Sequence, residues 1–188
     1  MGRWAPGATG RLVESALELY RERGFDQTTV AEIAARAGLT ERTFFRHFAD
    51  KREVLFAGSG ALFEQVAAAV AAAPPGTTPF DAVAAGLDAA ATVIGERHEF
   101  AEQRNAVIAA NPALHERELS KLASLAAAMA DALGARGVRA STAALTSETG
   151  MAVFKVAFDR WVADGTAGTL PELVRDAMDE LRVVAAAD

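Results

Sequence analysis

The chain has 188 residues, 51% of them apolar, enough for one ordinary domain or a small domain joined to a medium one with a sizeable core. It contains no cysteine, which excludes disulfides and thiolate metal sites, and its formal charge of −6 at pH 7 excludes a uniformly basic nucleic-acid binder. That charge is uneven: residues 1–58 carry 9 Lys+Arg against 8 Asp+Glu, net +1, and residues 59–188 carry 10 against 17, net −7. For a polyanionic partner the test is one basic face, not the total.

The opening MGRWAPGATGR has no apolar signal-peptide core, and charge interrupts later apolar runs before the roughly 18 residues of a spanning helix, so a cytoplasmic chain with no membrane partner is expected. Arg3 and Trp4 lie in this Gly/Pro-containing arm, where Arg3 is a candidate minor-groove or phosphate contact. Residues 11–23, RLVESALELYRER, place Leu12, Ala16, Leu19 and Tyr20 on one stripe and stop at Gly24. Thr29 and Glu32 have capping-box spacing and open a short helix that ends near Gly38. Thr40 caps the next, to about Phe48, and Asp50 with Glu53 opens a longer helix to about Ala72. AAAPPGTTPFD then breaks the chain, with Thr78, Pro79 and Asp81 at the N-cap, N1 and N3 of a fresh helix. Asn111-Pro112 starts another to about Ala132, an apolar helix runs from about Ser141 to Val162, and Thr169 with Glu172 opens the last, to about Ala186. The expectation is an all-α chain of roughly nine helices with no strand.

The stretch TTVAEIAARAGLTERTFFRHF has the element lengths of a helix-turn-helix, whose second helix enters the DNA major groove. On that helix Phe44 and Phe48 are four apart and face Ile33, Ala34 and Leu19 as core. Arg42 and Arg46, also four apart, point to the opposite side with Thr43 beside them. Phe45 reads either as a further core aromatic or as part of the outward face.

GFDQTTVAEIAARAGLTERTFFRHFADKREVL resembles the DNA-binding domain of the TetR family of bacterial transcriptional repressors, over almost every position from Leu12 to Leu62. The resemblance implies a three-helix DNA-binding domain over residues 1–57 and a helical ligand-binding and dimerisation domain over 58–188. It implies phosphate and groove contacts from Thr29, Thr40, Arg42, Thr43, Phe45, Arg46, His47 and Lys51 to a palindromic double-stranded operator. Two positions depart from the family pattern: Arg42 stands where many members have a small residue, and Phe45 where Tyr is usual. The region 97–136 further resembles the ligand-binding domain of the TetR subgroup typified by regulators of mycofactocin synthesis.

In the second half Phe154, Phe158 and Trp161 form a stripe that suits core or dimer packing as well as a pocket wall. The many alanines between Pro79 and Leu133 either leave volume for an apolar or amphipathic effector or let the helices pack closely. Phe100, Leu125, Met129, Phe154 and Phe158 are the candidate walls, and Arg104, if it points inward, a partner for an anionic head group such as that of an amphipathic acid or acyl thioester. His98 and His115 have no partner at metal spacing, and no nucleophile, base and orienting group assemble, so neither a metal, a cofactor nor catalysis is expected. The expected function is a homodimeric repressor released by ligand. The alternative is a helical small-molecule-binding protein without operator binding.

Overall fold

The computed structural model of the protein describes residues 7–165 and 168–186, so Arg3 and Trp4 lie outside the described residues. These contain nine α-helices and no strand: α1 (Ala8–Arg23), α2 (Val30–Arg36), α3 (Glu41–His47), α4 (Ser59–Ala72), α5 (Pro79–Gly95), α6 (His98–Ala109), α7 (Pro112–Ala135), α8 (Ala140–Ala163) and α9 (Leu170–Ala186). The all-α expectation holds, and most starts are set by the caps read from the sequence. Glu32 N–H donates to Thr29 Oγ1 while Glu32 Oε2 accepts from Thr29 N–H. Thr43 N–H donates to Thr40 Oγ1 and Asp81 N–H to Thr78 Oγ1. Thr169 and Glu172 repeat the reciprocal pair at the start of α9. Gly24 and Gly38 end α1 and the α2 turn at φ +84° and +67°, where a side chain would be strained.

The expected continuous helix from Asp50 to Ala72 does not form. Asp50 Oδ1 accepts from the N–H of Arg52 and of Glu53, which starts a 3-10 turn, Glu53–Phe56, and Gly58 at φ +82° then separates that turn from α4. The 20 residues 53–72 are apolar enough to cross a membrane by composition, with a mean hydropathy of 1.6. Glu53 and Glu64 are their only charges, and Glu64 interrupts the run well before the roughly 18 uncharged residues of a spanning helix. The break at Gly58 leaves α4 with 14 residues, about 21 Å, short of the roughly 30 Å of a hydrocarbon core.

The chain forms two compact units. Residues up to Ser59, together with Gln103–Leu119, make the first. Its core joins Leu12, Ala16, Leu19 and Tyr20 of α1 to Ile33 and Ala34 of α2, Phe44 of α3, Phe48 and Val54. Gly60–Glu102 and the residues from Ser120 onward make the second, built on mutual packing of α5, α8 and α9. Two glycines set its closest crossings: a Cβ at Gly86 would stand 2.7 Å from Val70 Cγ2, and one at Gly150 would stand 2.5 Å from Val83 Cγ1. Arg136 donates to the carbonyls of Ala71, in the last turn of α4, and of Pro74 beyond its end, and His98 Nε2 lies 2.9 Å from Trp161 O in the last turn of α8.

Candidate nucleic-acid interface

The first unit holds α3 rigidly and leaves one of its faces bare. Phe44 is fully buried and Phe48 nearly so, and their rings meet at 5.4 Å, which fixes the helix on α1 and α2. On the opposite side Arg42, Phe45, Arg46 and His47 are exposed, and Thr43 is half-buried. Phe45 is 55% exposed, so it is not a core aromatic. Its edge-to-face contact with Phe44, 5.5 Å between centroids at 81°, holds the ring in place.

The charges of this unit are treated in two ways. Arg23 is ion-paired with Glu32, Arg36 with Glu18 and Glu22, and Arg52 with Asp50. Arg42 and Arg46 have no ionic or hydrogen-bond partner among the described residues. Two guanidiniums four residues apart on one helix face, left without counter-charge, make a local positive field on a chain of net negative charge.

The remaining candidates take different roles. Thr29 is exposed, but its hydroxyl donates to Glu32 Oε2 and accepts from Glu32 N–H, so it is engaged in the cap. The backbone and side-chain hydrogen bonds from Thr29 hold the Glu32 carboxyl below the usual glutamate range. Thr40 and Thr43 hydroxyls share a 3.1 Å hydrogen bond beside the cap of α3. His47 Nδ1 lies 3.2 Å from Thr9 Oγ1, tying the end of α3 to the start of α1.

Lys51 has a structural role among these residues. Its ammonium donates to the carbonyls of Phe25, Thr28 and Asp26 at 2.8, 3.0 and 3.3 Å and stands 4.4 Å from the Phe25 ring centroid. Its own carbonyl accepts from Tyr20 Oη at 2.6 Å, and burial, helped by Asp50, raises the Tyr20 pKa and keeps that hydroxyl a donor. Three carbonyls accept from the ammonium, so the half-buried side chain locks the α1–α2 connection. Sequence spacing carried no sign of this, because the partners are backbone carbonyls more than 20 residues away.

The candidates for a ligand site divide between the units. Leu125, Met129 and Phe154 are buried in the second unit, and Phe158, half-buried, stacks on Phe154 at 6.2 Å and 19°. Phe100 is half-buried beneath the Arg97 guanidinium, 4.2 Å from its ring centroid. Arg104 belongs instead to the first unit and already has its counter-charge: NH1 donates to Glu118 Oε1 at 3.0 Å, Nε donates to Leu55 O at 2.8 Å, and the guanidinium lies 4.9 Å from the Phe56 centroid. Desolvation lowers its pKa and Glu118 opposes that shift. Arg117 pairs with Glu53 in the same unit. Arg104 thus has an internal counter-charge and anchors the segment 103–119 to the 3-10 turn. One polar group in the second unit is unexplained by packing: Ser147, 1% exposed on the inner stripe of α8, has a hydroxyl with no hydrogen-bond partner.

Comparison with known proteins gives two family matches: residues 12–57 match bacterial regulatory proteins of the tetR family, and residues 77–186 match the MftR C-terminal domain. The HTH-type transcriptional regulator TcmR of Streptomyces glaucescens is 39% identical over 79 residues, which is 42% of this chain and 35% of that protein, so the similarity spans about a third of its length. Among solved structures, the fatty acid degradation regulator FadR of Bacillus halodurans superposes with a TM-score of 0.62 at 15% identity, covering 95% of this chain and 96% of that one. FadR of Thermus thermophilus, a transcriptional repressor solved with lauroyl-CoA, gives 0.57 at 24% identity, covering 93% of each chain. At these identities the two structures speak for the fold.

Proposed function

This chain belongs to the tetR family of bacterial regulatory proteins, and from that premise we propose that it is a sequence-specific DNA-binding repressor that works as a homodimer and is released by an amphipathic ligand. The observation that carries the DNA-binding reading is the outward face of α3, where Arg42, Phe45 and Arg46 are exposed and the two arginines have no counter-charge among the described residues. Arg46 reads base edges, Arg42, Thr43 and His47 complete the surface, Thr29 and Thr40 cap the two helices that present it, and Lys51 supports it from behind. Residues 1–57 supply the DNA-binding function and 58–188 the ligand and dimer functions, with 103–119 packed as part of the unit that carries α3.

Dimerisation is supported by apolar side chains that the single chain leaves uncovered: Leu145 and Val156 on α8, 71% and 54% exposed, and Val183 and Val184 on α9, 70% and 66% exposed. A second copy covers them through an isologous interface. Two recognition helices so held address half-sites about 34 Å apart along a palindromic duplex. Ligand releases the DNA by binding better to a geometry in which that spacing is wrong.

The effector reading rests on Leu125, Met129, Phe154 and Phe158 as apolar walls and on Ser147 as an unsatisfied polar group on the same helix as the two phenylalanines. A long-chain acyl thioester or amphipathic acid fits such a lining, and the lauroyl-CoA held by the Thermus thermophilus repressor is consistent with that class. The test is selection of duplexes from a randomised pool by the purified chain, followed by addition of lauroyl-CoA to the recovered complex. A palindromic consensus, released by the thioester, is the expected outcome. Failure to enrich any sequence would remove the repressor reading and leave a helical ligand-binding protein.

A further inference from the structure

A single exposed phenylalanine is ordinary on a protein surface. Phe45 is not in that situation. It stands three residues after Arg42 and one before Arg46, which on a helix puts its ring on the edge of the arginine face nearer Phe48, and both guanidiniums lack a partner among the described residues. A face with two unneutralised cations is addressed to an anion, yet the ring that borders it has no donor or acceptor to offer a phosphate. Its ring meets buried Phe44 edge to face and leaves the rest of its surface open to solvent.

In the major groove, base edges present nitrogen and oxygen donors and acceptors and one apolar group, the C5 methyl of thymine. We infer that Phe45 reads thymine: its exposed ring edge packs on a thymine methyl beside the arginine contacts, so that this chain requires a thymine at a fixed position in each half-site. The inference rests on the DNA-binding reading above and adds a base identity to it. Sugar and phosphate contacts by the same ring would be indifferent to the base.

The experiment uses the full chain and a duplex recovered from the randomised pool, with each thymine replaced in turn by 2′-deoxyuridine, which removes the methyl and leaves base pairing intact. Affinity is read by fluorescence anisotropy at fixed salt. One thymine per half-site shows a loss of about fourfold on replacement, the effect of withdrawing one buried methyl-sized group. That loss disappears in Phe45→Ala, which lacks the ring, and is retained in part by Phe45→Leu. Arg46→Ala, by contrast, weakens binding and keeps the methyl sensitivity. Binding of the recovered duplex with no methyl-sensitive thymine, or a sensitivity that persists in Phe45→Ala, overturns the inference while leaving the DNA-binding reading intact. Absence of binding to every duplex overturns that reading and this inference with it. Thermal unfolding of both Phe45 variants close to that of the wild type confirms that the exposed site tolerates them.

Discussion

Replacing Lys51 by Met keeps the length and apolar stem of the side chain and removes its ammonium. Three hydrogen bonds to the carbonyls of Phe25, Asp26 and Thr28 are lost, together with the contact on the Phe25 ring. A hydrogen bond to a charged group contributes about 1.5–3 kcal/mol, but three on one half-exposed ammonium are not additive and water replaces part of each. Adding about 0.5 kcal/mol for the cation–π contact, the net loss is about 2–3 kcal/mol, which lowers the melting temperature of a chain of this size by roughly 5–10 °C. The assay is thermal unfolding followed by circular dichroism, alongside DNA binding across a salt series. Because no phosphate contact is removed, the slope of log affinity against log salt is unchanged even if affinity falls. A Lys51→Met protein that melts with the wild type while its salt slope drops by about one unit would refute the structural role and restore a phosphate contact.

Arg104→Met leaves Glu118 unpaired and half-buried and costs about 2–4 kcal/mol by urea unfolding, whereas Arg104→Met with Glu118→Gln recovers much of that loss; additive effects of the two substitutions would show that the pair is not coupled. Ser147→Ala removes a buried hydroxyl with no partner and stabilises the ligand-free protein by about 1 kcal/mol, while weakening release by lauroyl-CoA; lower stability with an unaltered response would rule the hydroxyl out as a ligand group. Val183→Glu with Val184→Glu places charge on the uncovered face of α9 and yields monomers by light scattering, and a dimer of unchanged strength would place the interface elsewhere.

Much of the fold is legible because its signals are local. Thr29 with Glu32, Thr40 with Thr43, Thr78 with Asp81 and Thr169 with Glu172 each fix a helix start within three residues, and each forms the bond its spacing implies. The outward direction of Arg42 and Arg46 follows from helical period once Phe44 and Phe48 are assigned to the core. What escapes the sequence is decided by partners far along the chain. Glu118 answers Arg104 and Glu53 answers Arg117 within the first unit, which joins segments that the sequence keeps apart, and Lys51 finds its partners among backbone carbonyls, which have no side-chain signature. The break at Gly58 has a local cause, but glycine inside an apolar helical pattern reads as tolerated until its positive φ is seen.

The most direct test of the DNA-binding account is the ratio of affinities for the recovered duplex and a scrambled duplex of the same length, measured at one salt concentration for the wild type and for Arg42→Ala/Arg46→Ala. The account predicts a ratio of about 10³ or more for the wild type and its collapse toward one in the double variant, with the helical content and melting of the two proteins alike because both side chains are exposed and unpaired. Equal affinity of the wild type for both duplexes, or a ratio that survives removal of both arginines, would contradict it.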